Sequence, residues 1–281
     1  MNPLGPDYGA RMRRAMRLAE EYPFAAEVLI FYRQLAAFQQ KLYGEIPETW
    51  DRQSSARADG QLRRELNCDA LLPHFPELLS LVERAGPLPV VEAARRLSAQ
   101  EPAQWLMRLR DFWMFGGRSN HSDREAPDDA EEPLMRFILQ AFLQPCSEFL
   151  AAHMSEQYLE SGARVCPRCG SAPLLGVLRP EGDGGRRCLL CSFCLQEWNF
   201  RRILCPACGE EADANLPVYV AEQFPHIRME TCDTCKFYLR TVDLTKNGHA
   251  IPIVDDLAAI PLSLWADEHG YSRLQANLLG T

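Results

Sequence analysis

The chain has 281 residues, of which 47% are hydrophobic and 24% are charged, and its formal net charge is −8. These proportions are close to globular averages and exclude wholesale disorder, and the acidic balance argues against a protein that coats nucleic acid by bulk electrostatics. No apolar run approaches the roughly 18 to 20 residues of a membrane-spanning helix, and none follows the arginines near the N-terminus, so we expect no membrane segment and no secretory signal.

The first half of the chain, to about residue 160, is predicted to be helical. A helix over 24–44 is favoured because Pro23 is typical of a helix start and Gly44 of a helix stop. Its apolar residues recur at steps of three and four, as a buried face does. They are Val28, Ile30, Phe31, Leu35, Phe38 and Leu42. Similar patterns predict helices over 77–85, 91–97, 103–115 and 134–157.

An acidic segment interrupts these helices. Residues 118–133 are mostly polar or acidic and contain no aliphatic side chain larger than alanine. Such a composition cannot bury an apolar face, so we expect a solvated linker between helices.

The character of the chain changes after residue 160. Glycine, proline and C-x-x-C pairs alternate with short β-prone runs such as 218–220 and 237–242. The stretch 255–279 regains modest helical character, and we expect it to pack back on the body. The sequence therefore predicts a helical domain over 1–160 and a different, smaller architecture beyond it.

Eleven cysteines are the unusual feature of the composition, and nine of them lie between Cys166 and Cys235. A disulfide framework suits a small secreted chain, whereas C-x-x-C pairs in a longer cytoplasmic protein are typical of metal ligands or redox pairs. Four such pairs follow one another. They are Cys166/Cys169, Cys191/Cys194, Cys205/Cys208 and Cys232/Cys235.

The local sequence around these pairs favours metal binding. Two thiolates three positions apart can both reach one ion at about 2.3 Å if the chain turns tightly between them. In CPRCG and CPACG, proline presets the turn and the final glycine permits a left-handed backbone, so that N–H groups can point at sulfur. This combination is the metal knuckle of rubredoxins and zinc ribbons. A disulfide-exchange role is weaker, since these pairs do not open a helix after a strand.

The pairs also repeat along the chain. Cys166 and Cys205 are 39 positions apart, and Cys191 and Cys232 are 41 positions apart. The segment thus resembles two copies of one unit, each copy with two C-x-x-C pairs. This repeat predicts one four-cysteine site from the first two pairs and another from the last two. A crossed arrangement of the two middle pairs leaves only ten residues between knuckles and is less favoured.

Cys188 forms a further C-x-x-C with Cys191, but two sites need eight ligands and already have them, so we interpret it as a spare buried thiol. Seven arginines lie within 161–209, where their positive charge would act to lower the pKa of this thiol. The histidines near the array, His226, His249 and His269, lack ligand spacing, and we expect surface or packing roles for them.

Taken together, three runs resemble the FdhE family of formate dehydrogenase accessory proteins. They are CPRCGSAPLLGVL, GRRCLLCSFCLQEWNFRRILCPACG and ETCDTCKFYLR, with weaker similarity at DDLA (255–258) and GYSR (270–273). The specific part covers about 110 residues, and the helical half agrees only in character and length. Cys188 departs from the family, whose usual residue there is aromatic, and is not counted as a ligand.

The resemblance implies a multidomain α+β protein, with an all-α domain (1–160) followed by two tandem rubredoxin-like or zinc-ribbon-like units (161–204, and 205–281 with a C-terminal extension). It implies a non-catalytic, chaperone-like factor in the cytoplasm that binds the catalytic subunit of respiratory formate dehydrogenase before export and is needed for its maturation. It also implies two Fe(Cys)₄ sites, with zinc as the alternative metal. Their ligands are Cys166, Cys169, Cys191, Cys194, Cys205, Cys208, Cys232 and Cys235.

Two other functions remain open at the level of sequence. A zinc-ribbon protein could bind nucleic acid through its arginine-rich first unit, but the net charge of −8 weighs against this. A rubredoxin-like electron carrier would use the same ligands, although two sites and a large helical domain exceed what electron transfer requires. Soft tetrahedral S₄ ligation suits both iron and zinc. The sequence is also compatible with a homodimer.

Overall fold

The structure, a computed structural model, describes residues 5–49, 62, 68–115, 132–153 and 162–276. Most of the acidic segment 118–133, the predicted domain boundary near 160 and the end of the predicted helix 134–157 lie outside these residues. None of the described helices is both long and apolar enough to cross a membrane.

The first half is helical, as predicted. Its α-helices are α1 (Tyr8–Glu21), α2 (Ala26–Thr49), α3 (Cys68–Leu71), α4 (Phe75–Ala85), α5 (Leu88–Ser98), α6 (Pro102–Phe115) and α7 (Glu132–His153). Local chemistry sets several of their starts. The Asp7 side chain accepts a hydrogen bond from the Ala10 N–H at 2.7 Å, which caps α1. Pro76 and Pro89 are the second residues of α4 and α5, within the first turn, where a missing N–H breaks no helical hydrogen bond.

The prediction that the second helix stops at Gly44 is wrong. Helix α2 begins after a short turn at Pro23–Ala25 and runs on to Thr49. Ile46, beyond the glycine, is only 2% exposed. Burial of Ile46 stabilises a helix that continues through Gly44, a residue of weak helix propensity. Tertiary packing commonly overrides propensity in this way.

The described residues of the second half form a seven-stranded sheet. Its strands are β1 (Pro173–Glu181), β2 (Gly184–Cys191), β3 (Glu197–Asn199), β4 (Val218–Val220), β5 (Ile227–Thr231), β6 (Phe237–Asp243) and β7 (Ser272–Arg273). The spatial order is β3-β2-β1-β6-β5-β4, and β7 pairs with β6. Within β3-β2-β1 and within β4-β5-β6 the neighbouring strands are antiparallel. The short β7 pairs with β6 in parallel, and β1 and β6 also pair in parallel, with Gly176 opposite Thr241.

This parallel pairing joins the two cysteine-bearing units. The sequence predicts them as tandem units, and the structure merges their strands into a single sheet. Two short helices, α8 (Pro252–Ala258) and α9 (Ile260–Glu268), then pack against the body, as expected for the end of the chain. Buried residues of the helices and the sheet form one connected hydrophobic core, and the predicted α+β class is confirmed.

Candidate metal centres

Two clusters of four thiols lie on the second half of the molecule. The first contains Cys166, Cys169, Cys191 and Cys194, and the second contains Cys205, Cys208, Cys232 and Cys235. Within each cluster all sulfur atoms lie within 4.8 Å of one another. The structure therefore groups the C-x-x-C pairs in the tandem arrangement that the repeat predicts, and not in the crossed one.

The spacing of the sulfur atoms matches a tetrahedral ion site. In the first cluster the Sγ–Sγ distance is 3.6 Å for Cys166–Cys194 and 3.3 Å for Cys169–Cys191. In the second they are 3.8 Å for Cys205–Cys235 and 3.7 Å for Cys208–Cys232. A tetrahedron with metal–sulfur bonds of about 2.3 Å has edges of about 3.8 Å, so both clusters have nearly the dimensions of a metal site.

The four knuckles share one backbone conformation. In each, the residue after the second cysteine has positive φ: 73° at Gly170, 52° at Leu195, 86° at Gly209 and 61° at Lys236. The N–H of this residue donates to the carbonyl of the first cysteine at 2.9 Å for Gly170, 3.0 Å for Gly209 and 2.8 Å for Lys236. The sequence predicts the left-handed conformation at the two glycines but not at Leu195 and Lys236. These two residues also directly follow the second cysteine of a C-x-x-C pair, and this equivalent position is the signal that would have predicted their conformation.

The turns also aim backbone N–H groups at sulfur. Phe193 and Cys194 both donate to the Cys191 Sγ at 3.4 Å. Such donors stabilise a thiolate and thus favour the charged form that binds a metal.

The pKa values of the clustered thiols shift in different directions. Burial raises the pKa of Cys191 and Cys194 well above the ordinary thiol value. Burial acts on Cys169 in the same direction, but hydrogen bonds from the other thiols of the centre outweigh it and lower its pKa well below that value. In the second centre burial raises the pKa of Cys205 to about 11. Holding all four sulfurs as thiolates therefore requires a bound cation.

The first centre is enclosed by the helical half. All four of its cysteines are buried. On the knuckle between Cys191 and Cys194, the carbonyl of Phe193 accepts from Ser147 Oγ at 2.9 Å, and that of Ser192 accepts from Gln140 Nε2 at 2.9 Å. The Phe193 ring packs edge-on against Trp113 at 5.6 Å. Helices α6 and α7 thus hold this knuckle in place, an attachment that local sequence patterns do not reveal.

The second centre faces solvent. Cys208 is exposed and Cys235 is half-buried. Its knuckles are linked by Glu210, whose Oε2 accepts from Thr234 Oγ1 at 2.5 Å and from Asn215 Nδ2 at 3.1 Å. These bonds, first of all that from Thr234, lower the pKa of Glu210 to about 2. A carboxylate next to the second centre therefore stays charged throughout the physiological range.

Cys188 joins neither cluster. It is 3% exposed, and its thiol donates to Asn199 Oδ1 at 3.6 Å. Burial, and then the charge of Glu197, raises its pKa. Arg186 and Arg179 act to lower the pKa, as the sequence predicts, but burial and Glu197 outweigh them. Among the described residues no histidine belongs to either cluster; His226 instead lies 2.9 Å from the Asp255 carboxylate.

Comparisons with known proteins cover nearly the whole chain. Residues 165–202 match the model of the FdhE central domain, and residues 203–279 match that of the FdhE C-terminal domain. The chain is 26% identical to "Protein FdhE homolog" of Aquifex aeolicus, over 96% of this chain and 94% of the relative. It is 29% identical to the Pseudomonas aeruginosa homolog, over 97% and 89% of the two chains.

A solved structure also resembles this one over its full length. The crystal structure of the FdhE protein from Pseudomonas aeruginosa superposes with a TM-score of 0.71 at 27% sequence identity. The alignment covers 98% of this chain and 95% of that one. The likeness therefore extends through the helical half, where the sequence motifs carry little information.

Proposed function

The chain belongs to the FdhE family, and from this premise we propose that it is a non-catalytic accessory factor for formate dehydrogenase. In this proposal it binds the catalytic subunit of a respiratory formate dehydrogenase in the cytoplasm, before export, and is needed for that subunit to become active. Each four-thiol cluster holds one metal ion, which we assign as iron.

The observation that carries the metal assignment is the match between the sulfur–sulfur distances of 3.3 to 3.8 Å and a tetrahedral S₄ site. A bound ion would neutralise the thiolates and tie two knuckles together, supplying stability that about 50 residues of ribbon cannot obtain from their own core. Soft thiolate ligands suit both iron and zinc, and the family resemblance favours iron.

The burial of the first centre supports a scaffolding role rather than catalysis. Its cysteines are at most 4% exposed, and helices α6 and α7 cover one of its knuckles, so a substrate has no direct route to the metal. The helical half thus packs on the first centre, while the second centre remains at the surface.

Binding of the client subunit is tested with the full chain and a purified, unassembled formate dehydrogenase catalytic subunit. We expect a stable complex by co-purification, and we expect a deletion strain to lose formate oxidation that the intact gene restores. Normal formate oxidation in the deletion strain, together with no complex, would contradict the proposal.

The ligand assignment is tested by single substitutions. Cys191→Ser removes a ligand of the first centre and should lower the metal content from about two ions per chain to about one. Cys188→Ser is the matched control, since it changes a buried thiol three positions away and should leave both ions bound. Metal analysis with the absorption spectrum of each protein gives the count and separates iron, which is coloured when ferric, from colourless zinc. Equal metal loss in both variants would refute the assignment.

A further inference from the structure

A cavity of about 330 Å³ lies beside the second centre. One wall is the loop that leads into the third knuckle, including Ile203, Cys205 and Pro206, and the opposite wall is the sheet, including Val218, Glu230 and Leu239. The lining is therefore mainly apolar, and part of it is the metal knuckle itself.

The strand β4 next to this cavity is an open edge of the sheet. It pairs with β5 on one side, and among the described residues no strand pairs with its other side. The Thr231 N–H donates to the Pro217 carbonyl at 3.0 Å, and the register places Val218 opposite Glu230. By the alternation of an antiparallel ladder, the N–H and C=O groups of Val218 and Val220 then point away from β5, where an added strand would pair with them.

Both faces of β4 offer apolar surface. Val218 and Val220 project from the cavity face and are 51% and 54% exposed, and Ile203 across the cavity is 47% exposed. On the other face the Tyr219 ring packs on Trp265 at 4.6 Å. A strand added to β4 would place alternate side chains against these two surfaces.

The charges that line the cavity select an acidic occupant. Arg187 pairs with Glu230 at 2.6 Å, and Arg228 pairs with Asp243 at 2.8 Å. Arg202 donates to the Gly185 carbonyl and forms no salt bridge with any carboxylate of the described residues. A carboxylate on an incoming segment would supply that partner.

We propose that β4 and the adjoining cavity form a docking site for an extended segment of a partner protein, which adds to the sheet as an eighth strand. Apolar side chains of the segment enter the cavity, and a carboxylate on the same face of the segment pairs with Arg202. The inference deepens the proposed function, because it assigns the surface at which the client is held.

The site is tested first without the client. The probe is a fluorescein-labelled peptide, TVTETVTVT, whose even positions place three valines and one glutamate on one face; TVTKTVTVT is its basic counterpart. We expect saturable anisotropy changes with the acidic peptide and weaker binding of the basic one. Absence of binding to the wild-type chain would overturn the proposal.

Two variants locate the site. Val218→Pro removes one outward N–H and keeps the hydrogen bonds to β5. It should therefore weaken the binding of the acidic peptide about fivefold to tenfold. Arg202→Glu should reverse the preference between the two peptides. Leu88→Thr, at a side chain 70% exposed on the helical half, is the control and should bind as the wild type does. Thermal unfolding and metal content confirm that each variant is folded.

The same variants are then measured against the purified catalytic subunit. If the wild type binds it and Val218→Pro binds it equally well, the docking site is wrong while the proposed function stands. If the subunit does not bind but the peptide results hold, the proposed function fails and the docking site stands. A dimer of this chain that Val218→Pro abolishes would overturn the proposal, since a second copy would then cover β4.

Discussion

At the scale of single residues, the four knuckles obtain the same left-handed turn in different ways. Glycine adopts positive φ freely, and it does so at Gly170 and Gly209. Leu195 and Lys236 hold the same conformation with a side chain, at a cost of about 1 to 2 kcal/mol each. The turn is retained at that cost because it directs the sulfur atoms of both cysteines toward one site and the backbone N–H donors toward those sulfurs.

Gly209→Ala tests this cost. The φ of Gly209 is 86°, so a side chain there should lower the free energy of unfolding of the metal-loaded protein by about 1 kcal/mol. Metal content should stay unchanged, because Leu195 and Lys236 tolerate the same backbone. Gly248→Ala is the control, since no positive φ applies there and the nearest atom to an added Cβ is 3.9 Å away. Denaturant titration of both variants checks the difference, and equal stabilities would contradict it.

The grouping of the eight thiols into two clusters could be predicted from the sequence because C-x-x-C spacing is a local constraint. The two-residue gap and the repeat along the chain are both readable without knowledge of the fold. The environment of each thiol depends on the fold: the pKa of Cys188 is raised first of all by burial, which local sequence does not give. For the same reason the contact of Ser147 with Phe193 could not be predicted.

At the scale of elements, the two centres differ in how much protein covers them. The first has four buried cysteines, whereas the second has Cys208 exposed. Because a chelator must reach the ion or wait for local opening, we expect biphasic metal release, with the second centre emptying first. Release is followed by the absorbance of a metal–chelator complex. Cys208→Ser should remove the fast phase and Cys169→Ser the slow one; the reverse pattern would contradict the assignment.

The joint between the two units depends on a close approach of strands. A Cβ added to Gly176 would lie 2.2 Å from the Oγ1 of Thr241, and the two residues are partners in the parallel pairing of β1 and β6. Gly176→Ala should therefore cost about 2 kcal/mol or more of unfolding free energy. Thr241→Ala removes the clashing oxygen, so the double variant should recover part of this loss. Purely additive effects in this double-mutant cycle would show that the clash is not the cause.

The sequence predicts individual strands of the sheet but not the pairing of β1 with β6. The β-prone runs at 218–220 and 237–242 were predicted and correspond to β4 and β6. That β6 lies beside β1 was not predicted, since a parallel pair of distant strands leaves no periodicity of its own. Gly176, within an otherwise apolar run, was the one local signal of a close backbone approach.

At the scale of the whole molecule, buried ion pairs connect helix α1 to both halves. Arg11 reaches Glu148 on α7 at 2.5 Å. Arg14 reaches Asp255 on α8, and the same carboxylate lies 2.9 Å from His226 Nε2, just before β5. Because such pairs are desolvated, losing one partner leaves an uncompensated charge in the interior. The N-terminal helix is thereby tied to the C-terminal unit through Asp255.

Asp255→Asn tests this tie. Burial acts to raise the pKa of Asp255, but hydrogen bonds from His226 and Arg14 outweigh it and hold the pKa below the ordinary value. A carboxyl with a lowered folded pKa contributes stability above its unfolded pKa of about 3.9 and loses it as the pH falls through the folded pKa. At pH 7 the variant should lose about 3 kcal/mol of unfolding free energy. This loss should begin to shrink below about pH 4, where the unfolded carboxyl takes up a proton that the folded one does not yet bind, and it should be smallest below the folded pKa.

The control for this prediction is Asp69→Asn, which removes the exposed pair with Arg110, whose side chains are 57% and 55% exposed. It should change the unfolding free energy by less than about 1 kcal/mol, because water and salt screen such a pair. The free energy of unfolding of both variants is measured by denaturant titration between about pH 3 and about pH 8. This range spans the ordinary pKa values of carboxyl and histidine side chains. If the two variants behave alike, or the Asp255→Asn loss does not shrink in acid, the ion pair does not hold the halves together.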